Sequence, residues 1–240
     1  MNDVGTQPRI IAALDYADPA AAERMVDALE PGLCRLKVGS ELFTRAGPDW
    51  VARCMSRGFD VFLDLKFHDI PRTAAAACRA AADLGVWMVN VHALGGRAML
   101  AGARGAIDAV AAERRPYLLG VTVLTSLGDA DLVELGMGDD AGALAQRMAD
   151  LAVASGCDGV VCSAREAGRL RQRHGDGIVL VTPGIRLATS PGDDQQRTLG
   201  PEEAVAAGAD YLVVGRPITQ AQDPVAALTD LALRTAGPRA

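Results

Sequence analysis

A single-domain (β/α)8 TIM barrel is the fold class that this α/β sequence predicts. Short runs of aliphatic and β-branched residues recur eight times along the 240 residues, and Ala-rich stretches with helical spacing separate them. No linker, internal repeat or low-complexity segment interrupts the alternation. Strict alternation of strand and helix implies parallel strands joined by right-handed crossovers. Eight such units in a chain of this length fit a barrel with short loops.

In order, strands are expected at 10–15, 35–39, 61–66, 88–92, 118–124, 159–162, 178–182 and 212–215. Helical patterns cover 19–29, 73–84, 96–113, 141–154, 164–174, 201–207 and 224–233. Several close on a glycine in the C-cap role, at Gly85, Gly156, Gly175 and Gly208. The segment 126–140 is the longest connection and is expected to hold a helical turn near 131–135. A doubly wound open sheet is the alternative. It would normally show a glycine-rich phosphate fingerprint after its first strand, where this chain reads Leu14-Asp15-Tyr16-Ala17-Asp18-Pro19. The expected organisation is a flexible tail over 1–8, one barrel domain over 9–235 and a second tail over 236–240.

Half the residues are apolar, enough for a sizeable core without disulfides. The net charge of −6 and pI near 5.1 argue against non-specific nucleic-acid binding, which needs a basic face. No apolar run approaches the ~20 residues of a membrane span. Five cysteines without a C-x-x-C pair suit buried thiols in a reducing compartment, and the N-terminus lacks the features of a signal peptide. A cytoplasmic protein is therefore expected.

In such barrels the active site lies at the C-terminal strand ends, and those ends gather a charged set here. Strand 1 ends in Asp15, strand 2 carries Lys37, and strand 3 carries Asp64 and Lys66. Strand 4 ends in His92, strand 5 in Thr125-Ser126 and strand 6 in Ser163. Strand 7 runs into Thr182-Pro183-Gly184-Ile185-Arg186, and strand 8 into Gly215-Arg216. Asp15, Lys37, Asp64 and Lys66 form an alternating array in which each charge has an opposite neighbour. Strands 7 and 8 supply the usual phosphate site: Gly215 lets a backbone N–H approach an anion, and Arg186 and Arg216 add charge-assisted hydrogen bonds. His92 suits either a ligand contact or a hydrogen-bonded core position, and His174 a solvated helix end. None of the three histidines has metal-ligand spacing.

Residues 64–73, Asp-Leu-Lys-Phe-His-Asp-Ile-Pro-Arg-Thr, follow the apolar run Val61-Phe62-Leu63. A strand sends residues i and i+2 to one face, so Asp64 and Lys66 should emerge together. Burying two charges costs several kcal/mol each unless they are paired. An isolated D-x-K reads first as a structural ion pair. Asp69, in the turn closed by Pro71, adds a second carboxylate free to meet another element or another subunit.

With these residues in hand, the chain resembles the orotidine 5′-phosphate decarboxylase family in its shorter bacterial form, from about Arg9 to Leu228. The marks are Leu-Asp at 14–15, Leu-Lys-Val-Gly at 36–39, the 64–73 segment and Asn-Val-His-Ala at 90–93. They continue with Val-Thr-Val-Leu-Thr-Ser at 121–126, Thr-Pro-Gly-Ile-Arg at 182–186 and Gly-Arg-Pro-Ile-Thr at 215–219. The resemblance implies a cofactor-free decarboxylase acting on orotidine 5′-phosphate, with Lys66 as proton donor to C6 and Asp64 facing the substrate carboxylate. Asp69 would complete the array across a homodimer interface, with Ile70 and Thr73 also reaching the neighbouring site. Lys37 and Asp15 would hold the ribose hydroxyls, Thr125 and Ser126 the pyrimidine, and Pro183 would line its pocket. Arg186, Gln195, Gly215 and Arg216 would grip the phosphate, Gln196 being the alternative to Gln195. No metal is implied. Metal-dependent sugar-phosphate relatives carry a carboxylate where this chain has Lys37, whose ammonium would repel a cation. A catalytically dead nucleotide sensor is the rival from another class.

Overall fold

The computed structural model describes residues 8–138, 140–185 and 199–237. Among these, eight parallel strands close into one barrel in chain order: β1 (Ile10–Ala13), β2 (Arg35–Gly39), β3 (Val61–Phe67), β4 (Met88–His92), β5 (Tyr117–Val121), β6 (Gly159–Val161), β7 (Val179–Thr182) and β8 (Tyr211–Val214). β8 returns to β1 with Ile10 opposite Leu212, which closes the sheet and leaves no exposed edge. The principal crossover helices are α1 (Pro19–Ala28), α2 (Ser40–Ser56), α3 (Pro71–Leu84) and α4 (Gly96–Asp108). After the short α5 (Asp129–Glu134) come α6 (Ala141–Ala154), α7 (Ala164–His174), α8 (Pro201–Ala206), α9 (Arg216–Thr219) and α10 (Pro224–Arg234).

Strand alternation divides the core in two. Ile11, Ala13, Phe62, Met88, Leu119, Val121, Val161, Val181 and Val213 fill the barrel interior. Their neighbours, such as Ile10, Ala12, Leu36, Val38, Val89 and Val91, face outward and pack beneath the helices. That two-sided burial explains why the strands read as continuous apolar runs. Helix α6 lies very close to the sheet: a Cβ added at Gly120 would sit 2.5 Å from the Ala152 side chain.

Three G-x-D sequences, 58–60, 156–158 and 208–210, feed β3, β6 and β8 from below. Each aspartate takes an arginine: Asp60 with Arg35 at 3.1 Å, Asp158 with Arg104 at 3.0 Å, and Asp210 with Arg171 at 2.7 Å. Asp158 and Asp210 also accept a backbone N–H from the adjacent strand, those of Leu118 and Leu180. The barrel floor is thereby tied together by charge-assisted hydrogen bonds.

Differences from the sequence expectation have local causes. The expected helical patterns do not include 40–56, where the structure has α2. In the structure Gly47 takes φ 70 at a kink, and Pro48 opens the second half, where its missing N–H costs nothing. Helix α4 stops at Asp108 rather than 113 because the Arg115 side chain takes the carbonyls of Asp108 and Val110 (2.6 and 2.9 Å). Strand β5 ends at Val121, after which the chain turns toward the site. His174 is not solvated: its side chain is 14% exposed and its Nε2 lies 3.0 Å from Asp150. All five cysteines are free and buried. Among the described residues no helix is long and apolar enough to cross a membrane.

Candidate active site

Four charged side chains meet at the C-terminal mouth of the barrel. Lys37 Nζ lies 2.9 Å from Asp15 Oδ1 and 3.5 Å from Asp64 Oδ2, and Lys66 Nζ lies 2.7 Å from Asp64 Oδ1. The alternating array is thus continuous across β1, β2 and β3. The two inner members are buried, with about a tenth of each side chain exposed; Asp15 and Lys66 at the ends are more open, at 65% and 38%. Burial pulls the Lys37 pKa down, yet the carboxylates of Asp64 and Asp15 more than offset it and hold the ammonium above its ordinary range. Gly39, two residues beyond Lys37, leaves room for this pairing: a Cβ there would lie 3.3 Å from Lys37 Nζ.

Strand β3 reaches the site through an irregularity. Leu63 pairs with Val89 and Phe67 with Val91, so three residues, Asp64, Leu65 and Lys66, oppose the single Asn90 of β4. Within this bulge Lys66 takes φ 49, the one positive φ outside glycine among the described residues. Such a backbone costs a side-chain-bearing residue about 1–3 kcal/mol and persists where the surroundings over-determine it. Asp64 and Lys66 are therefore neighbours, as their spacing predicts, but through a bulge rather than a regular pleat.

The array forms one wall of a cavity of about 580 Å³, within the range of small-molecule sites. Val121, Val123, Val161, Cys162 and Val213 make its apolar side, and Thr125, Pro183, Gly184, Gly215 and Arg216 complete the rim. The β1 end of the array meets β8, where a Cβ on Gly215 would lie 3.8 Å from Asp15 Oδ2 and Arg216 is exposed. The cavity therefore offers charged, hydrogen-bonding and apolar surfaces together to a small polar ligand.

Of the residues expected from sequence, Asp15, Lys37, Asp64, Lys66, Thr125, Pro183, Gly215 and Arg216 line this one cavity. Ser126 is exposed beside it and does not line it. Asp69, Ile70 and Thr73 lie on an exposed turn and the start of α3; Asp69 Oδ1 accepts the Ile70 N–H at 2.7 Å, and Ile70 is 65% exposed. Within this chain Asp69 makes no ion pair among the described residues. Arg186, Gln195 and Gln196 lie outside the described residues. Ser163 caps α7, its Oγ accepting the Arg165 N–H at 3.3 Å. His92 is a buried core histidine whose Nδ1 accepts the Leu94 N–H at 3.3 Å, and His68 stacks on it at 5.4 Å. Burial, then the nearby His68 and Lys66, push its pKa down to about 4. Sequence reasoning placed Asn90 within the Asn-Val-His-Ala mark at 90–93 but gave it no role; its further signal is an amide in the middle of a short, mostly apolar strand.

The closed barrel, with its charged array and small-molecule cavity at the C-terminal strand ends, places the chain in the class of (β/α)8-barrel enzymes. The model of the orotidine 5′-phosphate decarboxylase / HUMPS family matches residues 8–231, and the chain belongs to that family. It is 57% identical over 229 residues to the orotidine 5′-phosphate decarboxylase of Halorhodospira halophila, covering 95% of this chain and 96% of the relative. The Laribacter hongkongensis protein of the same name is 57% identical over 220 residues, 92% of this chain and 90% of its own. Among solved structures, that of the Lactobacillus acidophilus orotidine 5′-phosphate decarboxylase superposes with a TM-score of 0.84 at 36% identity. It covers 96% of this chain and 100% of that one.

Proposed function

We infer that the protein catalyses the reaction named for its relatives, loss of CO2 from orotidine 5′-phosphate to give UMP in pyrimidine biosynthesis, without a cofactor. The continuous Asp15–Lys37–Asp64–Lys66 array carries this reading. Breaking the C6–carboxylate bond leaves its electron pair on a ring carbon with no π-system to spread it. Stabilisation must then be electrostatic, from a fixed cation aimed where charge develops. Lys66, held by Asp64 and open to the cavity, is that cation; it gives a proton to C6 and regains one from solvent. Lys37, seated between two carboxylates, occupies the place a divalent ion would need, which favours the cofactor-free reaction over the metal-dependent one.

The remaining roles follow the surfaces. Asp15 and Lys37 face the ribose hydroxyls, Thr125 and Ser126 the pyrimidine edge, and Pro183 its ring. Gly215 and Arg216 take the phosphate, joined by Arg186 and Gln195. Phosphate binding far from C6 raises the rate when that binding energy organises the reacting end. Asp69, Ile70 and Thr73 act in the site of a second subunit. The exposed Ile70 beside an unpaired carboxylate supports a homodimer with shared sites. The expected setting is the cytoplasm, with neither nucleic acid nor membrane as partner.

Purified protein mixed with orotidine 5′-phosphate should consume the orotidine absorbance and release UMP, with activity unchanged in excess EDTA. Tight UMP binding without turnover would instead establish the sensor, and loss of activity in EDTA the metal-dependent relative. Mixing inactive Asp69→Ala and Lys66→Ala proteins should restore activity, because a hybrid dimer regains one intact site. No restoration, or a fully active monomer by gel filtration, would remove the shared-site part alone.

A further inference from the structure

Asn90 is wholly buried in the middle of β4, on the interior face it shares with Met88 and His92. Its side-chain Oδ1 accepts the backbone N–H of Lys66 at 2.8 Å, and its Nδ2 donates to Asp64 Oδ1 at 2.7 Å. That carboxylate oxygen is the atom that receives Lys66 Nζ. The amide orientation is dictated by its partners, since a backbone N–H only donates and a carboxylate only accepts. Asn90 is also the single residue of β4 set against the three bulged residues of β3. One planar amide therefore spans the bulge, gripping the backbone at one side and the carboxylate at the other.

We propose that Asn90 is a positioning residue for the decarboxylation, a clamp that sets the aim of Lys66 through its backbone and through Asp64. The inference rests on the reaction assigned above. The lysine side chain is long and flexible, so the direction of its ammonium depends on where its Cα and its carboxylate partner are held. Asn90 holds both. It also supplies the constraint that keeps Lys66 in the left-handed region, where nothing in its own chemistry would place it. A shift of about 1 Å in a reacting group costs on the order of a hundredfold in rate. No aliphatic residue of similar size serves here, because Lys66 N–H and Asp64 would each lose a buried partner.

The test compares Asn90→Leu and Asn90→Asp with the unmodified homodimer, every rate being expressed per UMP-titrated site so that only folded protein is counted. Asn90→Leu should lower kcat about a hundredfold while UMP affinity is largely retained. Asn90→Asp keeps an acceptor for the Lys66 N–H but turns a carboxylate toward Asp64. Its kcat relative to the unmodified enzyme should rise as the pH falls, because the introduced carboxyl, once protonated, again donates to Asp64. A purely structural role gives a lower unfolding temperature and fewer titratable sites with normal kcat at each, and that result would overturn the clamp. So would a kcat ratio for Asn90→Asp that does not change with pH; this variant decides the matter if Asn90→Leu does not fold. Failure of the unmodified enzyme to decarboxylate would count against the assigned reaction instead. An active enzyme whose Asn90 variants keep their kcat removes only the clamp.

Discussion

Arg35 and Lys37 stand two residues apart on β2, both inside the barrel and both nearly buried, yet they belong to two different kinds of site. Arg35, at the floor, lies over the faces of Trp87 at 4.3 Å and Tyr211 at 5.1 Å, and its remaining charge goes to Asp60 and the Pro8 carbonyl. Lys37, at the mouth, sits between two carboxylates, one of which carries a second lysine onward to the cavity. The floor cation is used up by its surroundings, whereas the mouth array is left with an open end. Cation–π stacking and peripheral ion pairs contribute modest stability. A buried ion pair seldom adds net stability, because desolvation offsets the attraction. The contrast teaches that one strand divides its labour by height: stability below, chemistry above.

The sharpest break of that contrast is Lys66→Ala. Turnover should vanish, while UMP affinity and the unfolding temperature change little; near-normal decarboxylation by this variant would refute the proposed mechanism. Lys37→Met comes next, with kcat/KM expected to fall by about a hundredfold or more through loss of a charge-assisted contact and misaim of Asp64. Its stability should fall as well, because Asp15 and the buried Asp64 lose the cation they share, and an unchanged denaturation midpoint would contradict that reading. Arg35→Met should lower stability alone, costing roughly 1–3 kcal/mol of unfolding free energy with kcat intact.

The smallest effect is on pH dependence. His92 has a folded-state pKa near 4, below its ordinary 6.5. The unfolded chain therefore binds this proton at a higher pH than the folded one, and the associated stability is complete above 6.5 and lost as pH falls toward 4. Unfolding temperatures followed through that window should decline, and His92→Gln should make the decline shallower. An unchanged slope would show that other groups dominate acid sensitivity.

The barrel and the array were legible in the sequence because both rest on short-range pattern. Alternating elements, apolar strand cores and charges at successive strand ends survive as spacing. What spacing does not carry is conformation at single residues. Helix α2 is not among the expected helical patterns, and it kinks at Gly47-Pro48. Residues 64–66 read as the end of a regular strand and form a bulge, so the expected proximity of Asp64 and Lys66 arises by another route. Asn90 passed without a role because its importance lies in two hydrogen bonds to residues 24 and 26 positions away. Asp69, Ile70 and Thr73 show the converse limit: their pattern points to a site, and among the described residues they do not line the cavity of their own chain.

The buried cysteines have a practical consequence. Burial pushes the thiols of Cys34, Cys54, Cys78 and Cys157 up to about 12. At neutral pH the reactive thiolate fraction at each is then on the order of 10⁻⁵, so an alkylating reagent meets almost no nucleophile until the chain opens. Labelling at these four positions thus clocks opening of the layer between sheet and helices. Read site by site by mass spectrometry, it gives a map of where the barrel comes apart first, with no probe introduced.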